Sequence, residues 1–165
     1  MPPLSIRLFP DPILRRPSAS ADWRSPEIKR LIKDMTATLY AQPGGIGIAA
    51  SQVGVARRVI VVDVSPKDPT KGRIVMMNPV IRRLEGEILN REGCMSLPDY
   101  TANVIRATRV WVEWTNENGK RCQKITAGIE AICLQHELDH LNGKLFIDLV
   151  ASLKTDVFPR KAKKK

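Results

Sequence analysis

Leu134-Gln135-His136-Glu137-Leu138-Asp139-His140-Leu141 holds both histidines of the chain, four residues apart, with a glutamate directly after the first. This is the H-E-x-x-H pattern. On an α-helix, residues i and i+4 stack on one face, so two imidazoles at this spacing can chelate one ion. Glu137 is turned about 100° around the axis from His136. Its carboxylate then lies beside an ion rather than on it, where it can move a proton to or from water. The competing reading is two surface histidines on an ordinary helix. The flank argues against it: Ile129, Ala131, Ile132, Cys133 and Leu134 make this stretch apolar on more than one side. A helix of that kind is buried at the centre of a fold. It is expected over about 126–141, ended by Asn142-Gly143.

Outward from the helix, the other elements read mainly as strands. Lys120–Ile125 precedes it, and Asn118-Gly119 supplies a hairpin turn back to a strand over Val104–Thr115. Ile74–Asn78 reads as a strand broken by Pro79, and Arg58–Val64 as a buried β-branched strand. Ser25-Pro26-Glu27 opens an earlier helix, with serine as cap, proline in the first turn and an acid at the positive end. Ile28, Leu31, Ile32, Met35 and Leu39 give that helix one buried face, and it stops before Gln42-Pro43-Gly44-Gly45. Residues 1–24 read as an irregular, proline-rich arm. The expected fold class is α+β, mostly antiparallel sheets around the buried H-E-x-x-H helix.

At 165 residues the chain is sized for one domain with one core. Its 43% hydrophobic and 27% charged content is that of a globular protein. No apolar run approaches the roughly 20 residues of a membrane-spanning helix, and the start lacks the order of a secretory signal. The expected location is cytoplasmic, with Cys94, Cys122 and Cys133 as reduced thiols. The net charge of +10 is partly concentrated in Arg160-Lys161-Ala162-Lys163-Lys164-Lys165. With 5% aromatic residues and no aromatic-basic interleaving, the chain has no stacking platform for single-stranded nucleic acid.

A catalytic metal of this type has three protein ligands and one open position. The extended protease pattern would place a third histidine at 146, where the chain has Phe146. No glutamate follows Glu137. Asp148 and Asp156 are weak candidates, which favours a cysteine upstream. Cys133 shares the helical face of the histidines but lies about 10 Å along the axis from His140. It reads better as a small buried apolar residue. Cys122 is given no role. Cys94, in Glu92-Gly93-Cys94-Met95-Ser96-Leu97-Pro98, follows a glycine that permits close backbone approach, and is the best placed of the three.

Three stretches, Gly45-Ile46-Gly47-Ile48-Ala49-Ala50-Ser51-Gln52, Glu92–Pro98 and Gln135–His140, strongly resemble in order the three motifs of the peptide deformylases. The likeness runs from the N-terminal arm to about Lys154. It implies a catalytic domain over 1–154 and a basic, disordered tail over 155–165. It further implies one Fe²⁺ per chain, replaceable by Ni²⁺ or Zn²⁺, held by Cys94, His136 and His140. Glu137 would be the general base and acid, and Gln52 with the Met95 backbone N–H would form the oxyanion hole. Gly45, Gly47 and Gly93 would hold the peptide backbone, and Ile46, Ile129, Ile132 and Cys133 would line the methionine pocket. The implied substrates are N-formylmethionyl peptides and nascent chains, which lose formate. The implied setting is bacterial-type, with an organellar or phage origin equally compatible, for a monomer with no membrane contact. Arg106 fits the motif context as a partner for acidic groups near the site. The tail suggests a weak, salt-sensitive attraction to the ribosome. Met95 stands where leucine is usual, Asp99 where many members have glycine or glutamate, and the chain ends before the long C-terminal helix of many bacterial members. The rival readings are an internal-bond metalloprotease, disfavoured by its missing third ligand, and a basic nucleic-acid-binding module with a closed structural metal site.

Overall fold

The computed structural model describes residues 3–160. Two helices are present, α1 (Pro26–Ala41) and α2 (Gly128–Leu141). The strands are β1 (Gly47–Ala49), β2 (Val59–Val62), β3 (Ile74–Glu85), β4 (Ile88–Cys94), β5 (Leu97–Arg106), β6 (Arg109–Thr115), β7 (Arg121–Ala127) and β8 (Val157–Pro159). They form a five-stranded sheet in the order β1-β2-β3-β6-β7 and a three-stranded sheet in the order β4-β5-β8. All pairings within the two sheets are antiparallel. This is the expected α+β class. No helix among the described residues is long and apolar enough to cross a membrane.

The larger sheet is covered on both faces, which explains the unalternating Val59-Ile60-Val61-Val62 run. Ile60 and Val62 pack with Leu134, Leu138 and Leu141 of α2. Val59 and Val61 pack with Ile28, Leu31, Met35 and Leu39 of α1. Helix α2 is therefore buried over most of its length, and α1 on one face only. The α1 cap is as expected: the Ser25 side chain accepts from Ile28 N, with Glu27 in the first turn. A third apolar cluster joins Leu14, Cys94, Leu97, Val104, Leu145 and Phe146, and ties the smaller sheet to the end of α2. At that end Gly143 takes φ +73°, and a Cβ there would lie 2.3 Å from the Arg15 carbonyl oxygen. The tight approach docks the N-terminal arm, whose Ser18 N donates to Leu141 O at 2.8 Å.

Two expectations are corrected. Pro79 does not end its strand: β3 runs on to Glu85, with an irregularity in its pairing to β6 between Met77 and Val80 and Asn78 at φ 51°. A bulge leaves the proline without a ladder bond to make. Val104–Thr115 is not one strand, because the chain changes sheets at Ala107-Thr108, between β5 and β6. Residues 157–159 pair with 100–102 as β8, and Arg160 N donates to Asp99 O at 2.7 Å. Backbone pairing and the Arg91 guanidinium, 3.7 Å from the Phe158 ring centroid, hold this segment. The rest of the expected tail, 161–165, lies outside the described residues.

Candidate active site and metal centre

Cys94 comes from the end of β4, and His136 and His140 from one face of α2. Their ligand atoms all lie within 4.8 Å of one another, and among the described residues they are the one such group able to hold an ion. The Cys94 Sγ is 3.3 Å from His140 Nε2. It also receives the Ser96 N–H at 3.4 Å and the Gln52 side-chain amide at 3.6 Å. Cys133 is 5% exposed and its Sγ donates to Ile46 O at 3.5 Å. Burial pushes its thiol pKa up, so it is a packed wall residue, as the helix geometry predicted. Cys122 packs against the core from β7.

The donor set fits a transition metal: one thiolate and two imidazoles, the set of a three-ligand catalytic site with an open position. Beside this ligand set, Glu137 Oε2 is buried without a hydrogen-bond partner. Burial, opposed by His136 and reinforced by Glu92, moves the Glu137 carboxyl up to about 7. A carboxyl titrating near neutrality is suited to both taking and giving a proton.

An ion-paired network orients the imidazole. Glu92 Oε1 is 2.8 Å from His136 Nδ1. Arg106 clamps the same carboxylate through Nε at 2.6 Å and Nη2 at 2.8 Å, and reaches Asp139 through Nη1 at 2.6 Å. Burial alone would raise the Glu92 pKa, but the Arg106 and His136 hydrogen bonds bring it down to about 2. Glu92 is thus a carboxylate, and His136 Nδ1 is the donor. Gln135, from the next position on α2, accepts from Ala107 N and donates to Ala107 O, both at 2.9 Å. It pins α2 at the point where the chain changes sheets. Arg106 is the partner for acidic groups that sequence reading expected. Glu92 and Gln135 were quoted in the motifs without a role, and only their buried polar type beside the ligands could have signalled one.

A cleft of about 460 Å³ opens onto this centre. Its lining includes Gly45, Ile46, Gly47, Gln52, Gly93, Cys94, Met95, Ile129, Ile132, Cys133, His136 and Glu137. Every site residue expected from sequence is therefore on its wall except His140, which lies behind it and is 1% exposed. Gln52 sits in a 3₁₀ turn (Ala50–Val53), 1% exposed, its Oε1 accepting from Ala49 N at 3.0 Å and its Nε2 donating to Ser96 Oγ at 3.1 Å. Gly47 is required by packing: a Cβ there would lie 2.6 Å from Cys133 Sγ and 2.8 Å from Glu137 Oε1.

Such a centre, with its carboxylate and open cleft on an α+β scaffold, defines a metal-dependent hydrolase. The chain belongs to the polypeptide deformylase family, whose model matches residues 3–156. A peptide deformylase of Thermodesulfovibrio yellowstonii is 43% identical over 98% of both chains. One of Syntrophobacter fumaroxidans is 45% identical over 98% of this chain and 95% of its own. Among solved structures, the peptide deformylase of Legionella pneumophila superposes with a TM-score of 0.85 at 38% identity, covering 93% of this chain and 89% of that one. That of Synechococcus elongatus, solved with actinonin, gives 0.85 at 35% identity over 93% and 82%. Members of this family are metal-dependent enzymes that remove N-formyl groups from nascent peptides, and this chain is one of them.

Proposed function

We propose that the chain hydrolyses the formyl amide of N-formylmethionyl peptides with Cys94, His136 and His140 holding one Fe²⁺. The convergence of those three ligands on a cleft that also exposes Glu137 and Gln52 supports this reading. Bound there, the metal supplies a Lewis acid that activates water near neutral pH. A thiolate in the set donates more charge than a third imidazole, which suits iron.

Glu137 accepts the proton of the attacking water and delivers it to the departing amine, so that formate and a free N-terminus result. The Gln52 amide and the Met95 backbone N–H donate to the oxygen that gains charge. Neutral donors suit this task because they add no charge beside the ligands. Gly45, Gly47 and Gly93 lie along the cleft and hold the backbone of an extended peptide. Ile46, Ile129, Ile132 and the Cys133 wall receive the long, unbranched methionine side chain. The same reading places the enzyme in the cytoplasm as a monomer, acting on chains as they leave the ribosome.

The test is formate release by anaerobically prepared, iron-loaded protein from formyl-Met-Ala-Ser, with acetyl-Met-Ala-Ser as control. Turnover of the formyl peptide alone supports the reading. Equal hydrolysis of both peptides, or cleavage of internal peptide bonds, overturns it. Metal analysis of the anaerobically purified protein tests the choice of iron.

A further inference from the structure

The mouth of the cleft carries three exposed cations, Lys67, Arg91 and Arg160. The only carboxylates in the lining are Glu92 and Glu137. Glu92 is consumed by Arg106 and His136, and Glu137 lies at the buried centre. Among the described residues, none of the three cations has an ion pair. Arg91 is engaged with the Phe158 ring. Arg160 lies against the site. Its backbone is tied to Asp99, and its Nη2 would lie 2.4 Å from a Cβ at Gly93, the residue before Cys94.

A formylated N-terminus carries no charge. On a short peptide lacking acidic side chains, the one negative group is then the C-terminal carboxylate. We infer that Arg160 is a specificity-determining residue that binds a carboxylate downstream of the formylmethionine, either the C-terminus of a short peptide or an acidic side chain on a longer one. A planar guanidinium with parallel donors matches a carboxylate. The position also accounts for the glycine at 93, which leaves space for the guanidinium against the strand. The inference rests on the deformylase reading and adds to it a preference among substrates.

The experiment compares kcat and KM of metal-loaded enzyme on formyl-Met-Ala-Ser and its C-terminal amide, and on the amides of formyl-Met-Ala-Asp and formyl-Met-Ala-Asn. The wild type is expected to favour the anionic member of each pair by about two- to fivefold in kcat/KM, the range of an exposed ion pair. The difference should sit in KM and shrink as salt rises. Arg160→Gln should bring both ratios close to one, Arg160→Lys should restore part of them, and Arg121→Gln, equal in charge change but on β7, should leave them as in the wild type. Product inhibition of the wild type by Met-Ala-Ser and its amide reads the same contrast without a variant. Equal kcat/KM within both wild-type pairs, or ratios that persist in Arg160→Gln, would overturn the role of Arg160. Failure of the wild type on all four peptides overturns the deformylase reading itself.

Discussion

Glu92 and His136, 44 positions apart in sequence, meet at 2.8 Å between a carboxylate oxygen and the Nδ1 of the imidazole. The bond fixes the tautomer: with Nδ1 donating, Nε2 is the free nitrogen. Arg106 holds the other side of the same carboxylate, so orientation is transmitted from β5 through β4 to α2. Partners of this kind raise the basicity of a ligating histidine.

Glu92→Gln should therefore weaken metal binding without removing a ligand. A fall of about 10- to 100-fold in affinity is expected, measured by competition with a chelator. Leaving Arg106 buried with only Asp139 should also cost stability, readable in chemical denaturation. Unchanged metal affinity in a folded Glu92→Gln protein would show that the contact does not tune the ligand.

Cys94→Ala should lose bound metal or activity, whereas Cys122→Ala, at a thiol packed on β7, should keep both. Metal analysis and formate release check the pair. Full metal content and turnover in Cys94→Ala would remove it from the ligand set.

Glu137→Gln keeps all three ligands and removes proton transfer. Metal content should hold while kcat falls by about 10²- to 10⁴-fold. Gln52→Leu should also slow the chemical step, by about 10²- to 10³-fold if its amide serves the oxyanion. Near wild-type turnover in either variant would contradict the assigned role.

Gly47→Ala should destabilise the fold by about 1–3 kcal/mol, the range for forcing a methyl into a filled space. Since the nearest obstacle is Cys133 Sγ, adding Cys133→Ala should recover part of that loss. Additive losses in the double variant, measured by urea denaturation, would show that the thiol is not the obstacle.

Truncation after Arg160 removes Lys161, Lys163, Lys164 and Lys165 but leaves the cleft whole. The shortened protein should turn over short peptides as before. It should co-sediment less with ribosomes at low salt, and the difference should vanish as salt rises. Equal co-sedimentation of both proteins at low salt would assign the lysines to solubility alone.

What the sequence determined by itself was what depends on local spacing and composition. The i, i+4 histidines and their apolar flank specified a buried helix with both imidazoles on one face, and Ser25-Pro26-Glu27 with its periodic leucines and isoleucines set α1 almost to the residue. The motif resemblance supplied residues that the structure gathers into one cleft. Tertiary structure alone decided what depends on pairing between distant segments. Pro79 reads locally as a break, yet a bulge lets β3 continue, because only the partner strand determines whether a ladder bond is needed there. Val104–Thr115 reads as one strand, yet it serves two sheets, and the Gln135 amide that grips the crossing point lies on another element. The basic end reads as a charged tail, yet 157–159 add a strand to β5 and bring Arg160 to the cleft mouth. Backbone hydrogen bonds to a strand more than fifty residues away offset the chain entropy lost in ordering this segment, and no window of local sequence contains both partners.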